Sequence, residues 1–203
     1  NVHTQQEVRT LPFPISAVSP SGKKAVSINF ARLRITRKGY GYGGEGQDPL
    51  EDVQFPKNDG LFLVDLQNGE RELLVSIADV RDMVPEITKE SLEYFNHTLF
   101  SKDGSKIMFF ARAIPATKPM INTVSFVVNQ DDSKLQKCFP NGWGGSHFDW
   151  LNGDTLMITA DYKSKQMSHI MFTAGNLDYQ RLGEGLFDYN GHGTFSPDHQ
   201  WFL

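Results

Sequence analysis

One short unit recurs along this chain, and its spacing constrains the fold more than any other feature. Val18-Ser19-Pro20-Ser21-Gly22 leads into an apolar run at 25–30, and Phe100-Ser101-Lys102-Asp103-Gly104 leads into 107–111. Trp150-Leu151-Asn152-Gly153 leads into 155–160, and Phe195-Ser196-Pro197-Asp198-His199 leads into Trp201-Phe202-Leu203. Each is a strand, a tight turn and a second strand, with the turn residues supplying positive φ or side-chain caps. After each complete unit a second hairpin follows: 61–66 turns at Asn68-Gly69 into 72–76, 124–128 turns at Asp131-Asp132 into 135–138, and 169–173 turns at Gly175-Asn176 into 179–182.

Two hairpins make four strands. The turns at Gly104 and Gly153 lie 49 residues apart, and the turn at His199 lies 46 beyond. Four strands per ~40–50 residues is the period of a propeller blade. The fold class expected is therefore all-β, a β-propeller of four-stranded antiparallel blades. It is present here in part, as blades at about 15–76, 95–138 and 146–182 and an incomplete one at 190–203. A β-sandwich also has many short strands, but the repeated turn chemistry at this period favours the propeller. The whole of 1–203 reads as a segment of one propeller domain within a longer polypeptide of six to eight blades. The first interval, 82 residues from Gly22 to Gly104, is stretched by two insertions. One is the glycine-rich loop 38–60; the other, 77–92, reads as a short helix interrupted at Pro85.

Composition excludes several classes. A net charge of −4 over 203 residues argues against a nucleic-acid binder. The single cysteine, Cys138, rules out an internal disulfide framework. No apolar run approaches the ~20 residues that span a bilayer. There is no Gly-x-Ser-x-Gly elbow and no His-Glu-x-x-His helix. Asn96-His97-Thr98 has the form of a glycosylation acceptor, a triplet common by chance.

Three histidines share one register. His97 lies seven residues before Gly104, His147 six before Gly153 and His192 seven before His199. Each begins the first, innermost strand of its blade, so the three imidazoles are expected to converge near one end of the axis. Imidazole binds metals and serves as a general base near neutral pH. A histidine repeated at one blade position also suits a purely structural hydrogen bond to the neighbouring blade. His169 opens a third strand and is expected at the surface. Arg112, closing the second strand of the His97 blade, could meet a carboxylate bidentately. Arg32 to Lys38 form a basic strand end that runs into Gly39-Tyr40-Gly41-Tyr42-Gly43-Gly44. Tyr40 and Tyr42 would stack on sugar rings and Arg34 and Arg37 would suit an anion, on the same face as the histidines. A plain insertion packed across the propeller is the alternative. Phe148 and Trp150 read as inter-blade packing, and Asp149 as support for a histidine.

The stretches Tyr94-Phe95-Asn96-His97-Thr98-Leu99-Phe100-Ser101-Lys102-Asp103-Gly104, Ser146-His147-Phe148-Asp149-Trp150, Gly191-His192-Gly193-Thr194-Phe195-Ser196-Pro197-Asp198 and Arg37-Lys38-Gly39-Tyr40-Gly41-Tyr42-Gly43-Gly44 resemble the bacterial propellers related to oligogalacturonate lyase, which share the periplasmic TolB-type blade. The resemblance implies a periplasmic or secreted protein that cleaves uronic-acid oligosaccharides by β-elimination. It implies a divalent metal, typically manganese, on His97, His147 and His192. Arg112 would neutralise the sugar carboxylate, and His97, His147 or Tyr42 would take the proton. Arg34, Arg37 and Tyr40 would hold the acidic oligosaccharide. The other reading is a non-catalytic TolB-type propeller that binds carbohydrate or protein.

Overall fold

A computed structural model describes residues 3–43, 47–84, 91–115, 122–140, 142–163, 166–176 and 178–203. Pro85 and Gly44, at which the helix break and the end of the glycine loop are expected, lie outside these residues.

Among the described residues twelve strands form three four-stranded antiparallel sheets, each with its strands in sequential order. The first blade holds β1 (Ala17–Val18), β2 (Lys24–Ser27), β3 (Gly60–Asp65) and β4 (Arg71–Ser76). The second holds β5 (Ser91–Phe100), β6 (Lys106–Pro115), β7 (Asn122–Asn129) and β8 (Leu135–Lys137). The third holds β9 (Phe148–Trp150), β10 (Thr155–Tyr162), β11 (Gln166–Thr173) and β12 (Gln180–Arg181). The last turn closes a fourth hairpin through a bridge between Phe195 and Phe202. These are the blades of a partial propeller, as the repeat predicts.

The sheets are apolar on both faces, so neither face can be left to water. Along β6, Ile107, Phe109, Ala111 and Ala113 point into a core shared with the first blade, where Val26, Leu61 and Val75 meet them. The alternate residues Met108 and Phe110 point into a core shared with the third blade, beside Trp150, Leu156 and Phe172. A pleated strand sends successive side chains to opposite faces, and here both faces find a neighbouring sheet. Trp150, fully buried, also donates its indole N–H to the Leu99 carbonyl across the blade boundary at 3.2 Å. The expected packing role of Trp150 is thus met.

Three of the four turns are chemically identical. The backbone N–H groups of Gly22, Gly104 and His199 each donate to the serine three residues back, at 2.9 Å. All three residues have positive φ, 68°, 80° and 61°. The hydroxyls of Ser19, Ser101 and Ser196 then accept from the N–H of Lys24, Lys106 and Trp201. Gly153 departs from this equivalence. Asn152 replaces the serine, capping Asp154 and Thr155, and Gly153 is needed because a Cβ there would overlap the Asp103 carboxylate of the second blade.

Two further expectations are corrected. The strand expected over 25–30 ends at Ser27, and the basic stretch after it is a helix, α1 (Phe30–Thr36), not a strand end. The Asn29 side chain accepts from the Arg32 N–H at 3.0 Å and starts the helix. Arg32 then turns inward, donating to the carbonyls of Glu93, Leu50, Val53 and Gln54 and fastening the insertion to the second blade. After β4, helix α2 is only Ile77–Arg81, opened by a capping box between Ser76 and Asp79.

Glu93 sits in the seam between the first two blades, 0% exposed, with neither carboxylate oxygen hydrogen-bonded among the described residues. Burial pushes its pKa from 4.5 to about 8, against the pull of Arg32 and Arg81. Below the unfolded value both states are protonated. Between 4.5 and 8 the unfolded chain releases a proton that the folded one keeps, so stability falls as pH rises through that window, by up to about 1.4 kcal/mol per pH unit. Glu93→Gln, which retains the neutral shape, is expected to match the native chain at pH 5 and exceed it at pH 8 by on the order of 3 kcal/mol. Urea unfolding at the two pH values measures this; equal native-to-variant differences at both would contradict it.

Candidate functional site

None of the three histidines begins a strand as expected: His97 lies well inside β5, His147 just before β9 and His192 in the segment before the fourth hairpin. His97 lies within β5, where the pairing with β6 shifts register between Asn96 and Leu99. Its φ is +54°, an uncommon value for a non-glycine residue, and bulges of this kind re-aim a side chain. The ring meets Phe110 and Phe148 edge-on at 5.8 and 6.2 Å while remaining exposed on its other side. His147 immediately precedes β9 and lies against His192, with ring centroids 3.5 Å apart.

The setting of these imidazoles is cationic. Partial burial is the first cause lowering the His97 pKa, from 6.5 to about 4, followed by the charges of Arg112, Arg37, His147 and His192. Solvent on the open side screens those charges, and the direction is what matters: His97 is neutral at pH 7. His147 is also lowered, first by burial, then by His192 and Arg112. His147 and His192 lie against each other, and both act electrostatically on His97.

Arg112 is 6% exposed, packs over the Phe110 ring at 4.9 Å and donates through Nε to Thr123 at 3.1 Å. Its Nη1 has no hydrogen-bond partner among the described residues, and neither do the Tyr94 hydroxyl and the Asn96 Oδ1. Tyr94 pairs with Arg112 across the ladder, and Asn96 with Phe110. Residues opposite one another, or two apart along a strand, share a face, so a free donor on Arg112 and a free acceptor on Asn96 lie on the face that carries the Tyr94 hydroxyl, which itself interacts with Arg112 and Arg37. Burial raises the Tyr94 pKa while Arg112 and Arg37 pull it down. Arg37 stacks over Tyr40 at 4.1 Å, and both act electrostatically on Arg112.

The loop residues therefore divide. Arg37 and Tyr40 stand near the histidines. Tyr42 instead stacks on Phe30 at 4.8 Å and lines a separate cavity beside the first blade. Arg34 is exposed in the last turn of α1 and is not among the main charges acting on the three imidazoles. His169 is not at the surface: it is 3% exposed and its Nδ1 meets the Thr159 hydroxyl at 2.8 Å. Both faces of β11 are covered, so its position in the strand does not imply exposure. Asp149 braces blades in place of supporting a histidine. It accepts hydrogen bonds from Lys102 of the second blade, from Thr194 and the Phe195 N–H of the fourth, and from the Trp150 N–H. Sequence reasoning gave no role to Tyr94 and Asn96; their i, i+2 spacing beside His97 and the strand register opposite Arg112 are the signal that finds them.

The lyase resemblance implies a divalent metal on the three histidines. Among the described residues no group of three or more histidine, cysteine, aspartate or glutamate side chains is arranged to hold an ion. The charges alongside the imidazoles are guanidinium groups, so this donor set suits an anion better than a divalent cation. No helix among the described residues is long and apolar enough to cross a membrane.

No protein-family model matches the chain, and no curated protein matches it at significance. Among solved structures it is similar to TolB from Acinetobacter baumannii, with TM-score 0.53 and 19% identity over 94% of this chain and 37% of that one. A TolB of Agrobacterium tumefaciens covers 86% of this chain and 50% of its own, at 13% identity and TM-score 0.40, and nothing rests on it. The chain thus has the TolB-type propeller fold and spans 37% of the length of the Acinetobacter protein.

Asp149→Ala is expected to destabilise the protein by about 2–4 kcal/mol, since it strands hydrogen-bonded groups in three blades. Chemical denaturation measures this. A loss under 0.5 kcal/mol would show that the strut is dispensable.

Proposed function

We propose that this chain is part of a non-catalytic, TolB-type propeller whose axial mouth binds a partner protein through an acidic side chain. The observation that supports it is the buried Arg112 Nη1, left without a hydrogen-bond acceptor beside the Tyr94 hydroxyl and flanked by Arg37. A buried donor left unpaired costs about 1–3 kcal/mol, and a ligand carboxylate would recover that cost through a charge-assisted hydrogen bond, while the neighbouring Asn96 Oδ1, an acceptor, would take an N–H of the same peptide. Phe110 under Arg112 fixes the guanidinium plane. The neutral His97 imidazole adds a donor without the desolvation cost of more charge. The fold likeness suggests a location in the periplasm or outside the cell. It also fits 1–203 as one segment of a single propeller of six to eight blades.

A second reading, elimination of a uronic-acid oligosaccharide, is favoured by one observation: a neutral imidazole, His97, beside Arg112. In that reading Arg112 would neutralise the sugar carboxylate, making the adjacent C–H acidic. His97 or His147 would take the proton, the carbon–hydrogen electrons would form a carbon–carbon double bond, and the glycosidic oxygen would leave with its electron pair. Tyr42, held against Phe30, does not enter that step.

Calorimetric titration of the full-length protein separates the readings. An Asp-rich peptide, its Asn counterpart and trigalacturonate are each added to native protein and to Arg112→Met. The expected result is binding of the acidic peptide and not its Asn counterpart, weakened about 10–100-fold by Arg112→Met. Unsaturated-product absorbance from trigalacturonate would support the lyase instead. Equal binding by native and variant protein would refute both.

A further inference from the structure

A second concavity lies beside the first blade, away from the histidines. Its volume is about 630 Å³, within the usual range for small-ligand sites. We propose that it is a binding site for a neutral sugar ring, with Tyr42 as the stacking platform.

One wall is aromatic, contributed by Phe13 before the first strand, Phe30 at the start of α1, Phe62 on β3 and Tyr42 on the glycine-rich loop. Tyr42 lies nearly parallel on Phe30, 19° between planes, and is still 58% exposed, so one ring face is packed and the other open. The loop is built to hold it there. The Tyr42 N–H donates to the Phe30 carbonyl at 3.2 Å. Gly41, at φ +70°, approaches that same carbonyl so closely that a Cβ would overlap it. A side chain at Gly41 would push Tyr42 off its seat.

The same cavity has polar lining. Asn29 donates to Asp48 at 3.1 Å and to Asp59 at 2.9 Å. Asp59 also accepts from the Gly60 N–H at 2.8 Å, and its pKa is raised by burial. Arg71 stands at the rim, held over Phe13 and Phe62 at 4.8 and 4.4 Å. Aromatic rings together with carboxylate, amide and guanidinium groups in one cavity match a ligand with a flat C–H face and a hydroxylated edge. Such an edge both donates to carboxylates and accepts from Arg71. The two aspartates disfavour an anionic sugar, which distinguishes this site from the carboxylate-binding mouth. An aromatic cage for a cation would compete with Arg71, which already occupies the Phe13 and Phe62 faces.

Saturation-transfer NMR of the full-length protein with cellobiose, maltose and trigalacturonate tests this, using native protein, Tyr42→Ala, Arg71→Ala and, as a control at an exposed aromatic outside both sites, Trp201→Ala. Tyr42 is largely exposed, so its removal leaves the fold intact, which a melting curve verifies. The expected result is a signal from at least one neutral disaccharide that falls at least about tenfold in apparent affinity with Tyr42→Ala, weakens with Arg71→Ala and is unchanged by Trp201→Ala. No signal from either neutral disaccharide, or one indifferent to Tyr42→Ala, would overturn the proposal. So would a signal from trigalacturonate alone that Tyr42→Ala removes. The acidic-peptide titration is unaffected by either result.

Discussion

A four-stranded sheet with apolar side chains on both faces cannot exist alone in water, and the rest of this structure depends on that constraint. β6 shows it most clearly, with Phe109 in one core and Phe110 in the other, both fully buried. Covering both faces requires a sheet on each side, so blades must follow one another around an axis. At roughly 25 cal/mol per Å² of apolar surface removed from water, this two-sided burial is the main favourable contribution to the fold. The polar links between blades, such as those of Asp149 and the Trp150 indole, fix register across boundaries that apolar packing alone leaves free to slide.

Buried polar groups inside such strands need partners, as Thr159 and His169 have in each other. On β5 and β6, by contrast, Arg112 and Asn96 keep buried hydrogen-bonding atoms unused beside Tyr94, and His97 holds a left-handed backbone at a bulge. Each departs from what folding alone favours. Strain and unsatisfied groups of this sort collect where a surface must meet a ligand. Arg37 and Tyr40, delivered by the first-blade insertion, add charge and an aromatic face to the same mouth. The insertion thus serves two places, since Tyr42, two residues on, turns to a different cavity.

Much of the fold was legible because its signals are local. The serine caps and positive-φ positions of three turns are encoded within five residues each, and the hairpins between them follow from alternation. Helix α1 was not legible: its start depends on one Asn29 side chain, and its apolar residues continue the pattern of the strand before it. Arg32 read only as part of a basic strand end because the carbonyls that bury it belong to residues 18 to 61 positions away. Of the candidate site, the common register of the three histidines was visible in the spacing. The buried position of His169 was not, because a strand covered on both faces loses the alternation that would reveal it. Tyr94 and Asn96 acquire meaning only once β5 is paired with β6.

The cationic, anion-seeking character of the mouth is tested most directly by the titration of the His97 imidazole in the full-length protein, followed by NMR. The expected midpoint lies well below 6.5, near about 4, because partial burial and the charges of Arg112 and Arg37 disfavour protonation. Adding the Asp-rich peptide should raise it, since a bound carboxylate offsets those charges. A midpoint at or above 6.5 that the peptide does not move would contradict the site described here.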